Sequence, residues 1–530
     1  MIEEGYIKFL KSLPGVEKPL GRVTFRDKLK WTALVLFIYY AMTQISIVGI
    51  APQSFQQFQV FQIILGSRFG SLMTLGIGPI VTASIILQLL VGSKIIPWDL
   101  SSENGRILFQ GTQKLLAILF CFLEAMIFVT MGTIPPLSPD WTFLVVIQLA
   151  IGGVLVIFMD ELISKWGFGS GVSLFIVAGV TSTIIQGMLN PFAACVTDEF
   201  GGGCLSIFAQ PRSTSITFPS ANNPPLGRIP QFIFYLGMAD IQNAMLSLIP
   251  VMATVLVFLL VIYINAIKVE IPLAFGSVRG FGRRWPLRFL YTSNIPVILV
   301  GALLANFQWM ARSLSEKGLT WLGMYDANGA VTGGLAFYLS APRSDALSGF
   351  AISIGFFVLL GVVFAYFTKK KAWKTGIIFA ILGGIFWYLA ALSTGATSLV
   401  SIPAADMMRA LSYTMFMVVG AAIFSVFWMM TSGMDPHSVA TQIYSTGMQI
   451  PGFRRDIRII ERVLNRYIPA LAILGGASVG FLAAFADFTN ALGTGTGILL
   501  STMIIHQLYE EIAMQHMEDM HPALRKFMGR

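Results

Sequence analysis

Residues 75–90 read Leu-Gly-Ile-Gly-Pro-Ile-Val-Thr-Ala-Ser-Ile-Ile-Leu-Gln-Leu-Leu. No charge interrupts them. The apolar run to which they belong, 74–93, has the length of about 20 residues that a helix needs to cross a bilayer. Runs of the same kind lie near 31–50, 108–132, 142–159, 171–189, 245–266, 289–311, 348–367, 375–395, 408–430, 468–488 and 491–508, which makes twelve. Composition agrees. Of 530 residues, 55% are hydrophobic and 12% charged, where a soluble domain carries roughly a quarter charged. The stretch 54–67 holds Gln56, Gln57, Gln59 and Gln62. It is too short and too polar to span, and reads as a re-entrant or surface segment.

Charge sets the orientation. With the N-terminus inside and the spans alternating, 28 of the 35 Lys and Arg fall on the inner side and seven on the outer. This is the positive-inside bias, and it supports the span assignment together with cytoplasmic N- and C-termini. Residues 1–30 carry seven basic residues and no long apolar core, so they are no signal peptide. Ile2, Tyr6, Phe9, Leu10 and Leu13 recur at helical spacing, which predicts a short amphipathic helix on the membrane surface. The inner segments 267–288 and 431–467 are long and basic, suited to anionic lipid head groups or RNA. Orientation signalling alone also explains their sign. The outer segment 190–244, rich in Gly, Pro, Ser and Asn, reads as an irregular loop.

Enzyme signatures are missing. The chain has no Walker A loop, no His-Glu-x-x-His and no Gly-x-Ser-x-Gly. His437, His506, His516 and His521 do not cluster with cysteine, so no cofactor or metal is expected. Gly-Thr-Gly-Thr-Gly at 493–497 precedes an apolar helix but lacks the lysine of a phosphate loop. Cys121 reads as a packing residue. Cys195 and Cys204 bracket one outer loop. They pair if it faces an oxidising exterior, and are otherwise two free thiols. Polar residues inside spans are costly unless they face protein or water. Glu124, Thr82 and Asn306 are such residues, and helix–helix glue is the plain alternative for each.

Several motifs together resemble the SecY family, in its archaeal and eukaryotic branch. They are 75–90 itself, Phe-Gln-Gly-Thr-Gln-Lys-Leu-Leu (109–116), Gly-Phe-Gly-Ser-Gly-Val-Ser-Leu-Phe-Ile (167–176), Val-Glu-Ile-Pro-Leu-Ala (269–274), Ser-Asn-Ile-Pro-Val-Ile-Leu (293–299), Gly-Phe-Arg (452–454), Arg-Tyr-Ile-Pro (466–469) and Gly-Thr-Gly-Ile-Leu-Leu (495–500). They occur in family order and cover ten of the twelve spans.

The resemblance implies an all-α polytopic membrane channel of two pseudo-symmetric five-helix halves around an hourglass pore. Its aliphatic ring would be Ile77, Val81, Val172, Ile176, Ile298 and Leu500. On residue type alone, core packing is the better reading for each of the six. Thr82, Glu124 and Asn306 match the polar cluster of a lateral gate. The segment near 54–69, with Phe58, Val60, Phe61, Ile63 and Ile64, matches the plug of the outer funnel. Arg279, Arg283, Arg284 and Arg454 match the ribosome-docking loops. Implied partners are a SecE-type (γ) subunit, a small β-type subunit, the ribosome, signal sequences and nascent polypeptides, and membrane lipids. The implied location is the cell membrane if the chain is archaeal.

These parts divide the chain into a cytoplasmic N-terminus 1–30, an N-terminal half 31–189, an external loop 190–244, the start of the C-terminal half 245–346, an insertion 347–396, the last three family helices within 397–509, and a cytoplasmic tail 510–530. The chain departs from the family twice. Segment 190–244 is longer than expected. Residues 347–396 read as an inserted transmembrane hairpin whose turn, Thr-Lys-Lys-Lys-Ala-Trp-Lys (368–374), falls in the cytoplasm. That hairpin borders the gate and must pack peripherally to leave it free. A solute transporter is the competing reading and would need a compact polar site at mid-membrane. A purely structural scaffold would need no plug-like segment.

Overall fold

The computed structural model describes residues 2–50 (without 20 and 22), 68–92, 95–98, 102–192 (without 133), 205–206, 215–216, 219, 224–275, 282–292, 295–315, 318–326, 331–342, 345–368, 371–393, 403–445, 448–449, 456–489, 491–492 and 494–519. Phe58, Val60, Phe61, Ile63, Ile64, Cys195, Cys204, Arg279 and Arg454 lie outside the described residues.

A helix lies on every one of the twelve apolar runs. In the first half these are α2 (Phe25–Gln44), α3 (Gly78–Gly92), α4 (Glu103–Thr130), α5 (Thr142–Trp166) and α6 (Gly171–Leu189). In the second half they are α8 (Ile241–Asn265), α9 (Ile295–Ser315), α11 (Asp345–Thr368), α12 (Ala372–Ser393), α13 (Ala404–Thr431), α15 (Ile457–Phe488) and α16 (Gly495–Asp519), with the short ladder β5 (Met324–Tyr325) and β6 (Val331–Gly333) and the short helix α10 (Leu335–Tyr338) between α9 and α11. Among the described residues, 8 helices are long and apolar enough by themselves to cross a membrane. The other four are α3 and α12, whose apolar stretches are shorter, and α2 and α16, which carry charges near their ends.

Local chemistry sets several helix starts. The Thr24 hydroxyl accepts from the Asp27 amide at the head of α2, and Ser102 accepts from Gly105 at the head of α4. Asp240 and Asp456 do the same for α8 and α15.

The two halves each pack internally and meet along two seams. Within the first, α2 and α4 pack on α5, α3 on α4, and α5 on α6. Within the second, α9, α13 and α15 pack together, and α16 packs on α8 and α15. Across the halves, α3 packs on α9 and α13 along one seam, and α16 packs on α6 and α2 along the other. One large buried cluster runs through both halves.

Three regions differ from the sequence reading. First, the outer segment 190–244 is not irregular throughout. It holds a two-residue ladder, β1 (Leu205–Ser206) with β2 (Ser215–Ile216), and an amphipathic helix α7 (Arg228–Gly237) packed on α6 and α8. Ile229, Phe232, Ile233 and Leu236 supply the helical spacing within that Gly- and Pro-rich segment. Second, the N-terminal helix α1 (Ile2–Lys11) rests on α4 as well as presenting an outer face. Leu10 is buried where Gly111 leaves room, the Tyr6 hydroxyl meets Thr112 at 2.9 Å, and Phe9 stays exposed.

Third, the two basic inner segments share one sheet. β3 (Lys268–Phe275) pairs antiparallel with β4 (Gly282–Arg288), and β7 (Met448–Gln449) adds to the other edge of β3. Ile271 and Leu287 then pack with Val439, Ile443, Ile460 and Leu464, where a short helix, α14 (Pro436–Ser445), lies on α15. A second small apolar core thus ties both segments to α15 in the second half.

α11 and α12 pack closely on each other, with the Ser353 hydroxyl donating to the Gly383 carbonyl at 2.8 Å. α11 rests on α8 and α15. The contact centres on Gly355, where an added Cβ would lie 2.8 Å from Leu256 and 3.0 Å from Phe485. A leucine there would overpack the interface, at a cost of roughly 1–3 kcal/mol. Gly355→Leu should therefore lower the thermal stability of the purified protein and weaken a disulfide engineered between α11 and α8. Unchanged values for both would mean that the hairpin is not seated at Gly355.

Candidate functional site

The six aliphatic positions lie at four helix starts. Ile77 immediately precedes α3 and its carbonyl accepts from the Val81 amide at 3.0 Å. Val172 and Ile176 lie one turn apart in α6, Ile298 is in the first turn of α9, and Leu500 is early in α16. Ile77, Val81, Ile176, Ile298 and Leu500 belong to the single large buried cluster, and half-buried Val172 packs against it. The cluster includes many other residues, so membership alone does not single out these six.

Register does more. Val81 and Ile298 are each the fourth residue of their helices, and Ile176 and Leu500 are each the sixth. Helix by helix, α3 and α6 hold the places in the first half that α9 and α16 hold in the second. The two halves therefore carry buried or half-buried aliphatic residues at equivalent places in their helices. Such side chains offer an ion no ligand.

The three polar gate positions are brought together only in part. The Thr82 hydroxyl donates to a Glu124 carboxylate oxygen at 2.9 Å, which joins α3 to α4. Gln113 reinforces the same pair of helices by donating to Ser84 at 2.6 Å. Both bonds lie within one wall of the seam. Asn306 is half-buried on α9, and among the described residues it makes no hydrogen bond to either partner.

What crosses from α4 to α9 is aromatic. Phe128 and Trp309 meet at a tilt of 48° with ring centroids 4.9 Å apart, and Phe128 also meets Phe69 at 5.9 Å. The sequence reading missed this pair, because two rings on helices far apart in the chain give no local signal.

The basic positions are placed less fully. Arg283 and Arg284 lie in β4 opposite Leu273 and Pro272 of β3. Lys114 on α4 and Lys165 near the end of α5 both pair with Glu161 at 2.7 Å. Lys165 also donates to the Val16 carbonyl, which holds the N-terminal segment there. The Arg288 guanidinium donates to Glu510 near the end of α16. Among the described residues, no three His, Cys, Asp or Glu side chains gather in a way that would hold a metal ion.

Two halves of packed apolar helices that meet along two seams, the second half carrying the extra pair α11 and α12, define a polytopic membrane channel. The chain belongs to the SecY family, whose profile matches residues 71–509, and the profile for the plug domain of Sec61p matches residues 37–70. The SecY subunit of the protein translocase of Methanothermobacter thermautotrophicus is 40% identical, over 100% of this chain and 99% of that one. A solved protein-conducting channel is 37% identical, with a TM-score of 0.73 over 98% of both chains. Sec61 in the canine ribosome–channel complex from the endoplasmic reticulum is 37% identical, with a TM-score of 0.70, again over 98% of both chains.

Proposed function

We propose that this chain is the pore subunit of a Sec-type translocon. It conducts unfolded polypeptides across the membrane and releases apolar segments sideways through the seam of α3 and α4 against α9 and α13. It is a channel subunit and not an enzyme. The observation that supports the reading is the matched register of aliphatic residues at four helix starts, two in each half. A ring of that kind resists ions yet deforms around a passing chain without selecting a sequence. A solute transporter would place a compact polar site where these aliphatics lie.

The remaining parts follow from the family. The segment near 54–69, within the stretch that matches the plug domain of Sec61p, closes the outer funnel. The β3–β4 hairpin and the loop that carries β7 present Arg279, Arg283, Arg284 and Arg454 to a ribosome, where phosphate contacts account for their sign. The canine relative's presence in a ribosome–channel complex supports this docking. A SecE-type and a small β-type subunit complete the assembly. The spans number twelve, with both termini cytoplasmic and the hairpin 347–396 seated on the periphery, in the cell membrane if the chain is archaeal.

The test is crosslinking to a stalled nascent chain. A photoreactive residue at Ile298, buried in the ring, should crosslink to a ribosome-bound secretory precursor. The same residue at Phe258, which is exposed on α8, should not. Silence at Ile298 in an assembled complex would leave a SecY-like fold without this pore axis.

A further inference from the structure

The structure assigns Asp160 and Asp487 as a matched pair of positioning residues that fix the starts of α6 and α16, the two helices that place Ile176 and Leu500. This inference rests on the ring reading above. The observations come in parallel from the two halves. Asp160, near the end of α5, accepts a hydrogen bond from the Val172 amide at 2.9 Å. Asp487, near the end of α15, accepts one from the Thr496 amide at 2.8 Å. Each amide belongs to the second residue of its helix, and each ring residue follows four positions later.

A glycine makes each contact possible. A Cβ on Gly171 would lie 2.6 Å from the Asp160 Cα, and one on Gly495 would lie 1.9 Å from the Ala486 carbonyl carbon. In both halves the pore helix therefore begins in direct backbone contact with the end of the helix before it. Gly171 and Gly495, in the Gly-rich stretches 167–171 and 493–497, allow that contact.

The physics favours a carboxylate at this place. The first amides of a helix have no partner within the helix, and the positive end of its dipole points the same way. In a low-dielectric setting an unmet amide is costly. Four residues separate the held amide from the ring residue, about one turn and about 6 Å of rise. A shift at the cap is thus transmitted to the ring.

Asp487 has a further tie. It accepts from the Tyr413 hydroxyl at 2.6 Å and is also bonded by the Thr496 hydroxyl. Tyr413 is on α13, one of the helices that packs on α3 at the lateral seam. Through Asp487 the seam and the pore helix α16 share one anchor.

The experiment uses the full chain with its partner subunits in proteoliposomes and reads the ion leak of the idle channel. Asp160→Ala and Asp487→Ala should each raise it about fivefold, the factor that corresponds to a helix cap of typical strength. Asp160→Asn and Asp487→Asn keep an acceptor oxygen and should return the leak most of the way. If an alanine variant does not assemble, the glutamate variant replaces it; its extra methylene displaces the amide, and the same rise is expected.

Ser425→Ala is the stability control. Ser425 bonds Thr292 and the Ala472 carbonyl in the buried second half, so its loss should destabilise without leak. Leu500→Gly tests the ring itself. If Leu500→Gly leaks and neither alanine variant does, the positioning role is overturned while the ring stands. Equal leak from alanine and asparagine variants, or from Ser425→Ala, also overturns it. No leak from Leu500→Gly overturns the ring on which the inference rests.

Discussion

Replacing Ile77 and Ile298 together by glycine is expected to make the idle channel leak ions. The two side chains come from opposite halves, on α3's start and on α9, and both are buried in the central cluster. In the proposed ring their aliphatic bulk keeps the constriction narrow and dry. Each 1.36 kcal/mol removed from the barrier multiplies the leak about tenfold, so a modest loss of dewetting is easily measured in a planar bilayer. Core packing predicts something else for the same residues, namely destabilisation of a few kcal/mol for each buried aliphatic removed. Leu149→Gly with Met417→Gly separates the two. Leu149 on α5 and Met417 on α13 are as deeply buried in the same cluster but have no ring register. That pair should lose stability without leak. Equal leak from both pairs would reduce the ring to ordinary core.

The reach of the sequence follows from which interactions are local. Spanning helices announce themselves through runs of apolar residues, and a helix duly lies on each of the twelve. The six proposed ring positions rest on motifs alone, since an isoleucine in a pore and one in a core look alike. Asp160 and Asp487 were hidden for the opposite reason. Each bonds an amide within a dozen residues, but only the folded turn brings the carboxylate to the helix start. An acidic residue six or seven positions before a Gly-x-Gly-x-Gly stretch is the signal that would have found them. The sheet that joins the inner loops pairs Ala274 with Gln449, a partnership that no periodicity within either segment encodes. Helix α7 was masked by the turn-rich composition around it.

The gate offers the second large effect, and its direction separates two designs. The polar bond from Thr82 to Glu124 lies within the wall formed by α3 and α4, whereas the Phe128–Trp309 contact crosses from α4 to α9. Membrane hydrogen bonds average about 0.6 kcal/mol. An aromatic pair contributes about 0.5–1.5 kcal/mol beyond its buried area. A tie across the seam must break when an apolar segment enters, so its loss favours the open state; a tie within one wall need not break. Trp309→Ala should therefore let the channel accept signal segments of lower hydrophobicity, scored with a precursor series in which leucines are replaced one by one by serine. Phe128→Leu should do the same, and the double variant should gain less than the sum, with a coupling of about threefold to tenfold in the open-to-closed ratio. Thr82→Val should move the threshold less than either. If Thr82→Val or Asn306→Leu moves it more than Trp309→Ala, the polar cluster is the latch and the aromatic pair is packing.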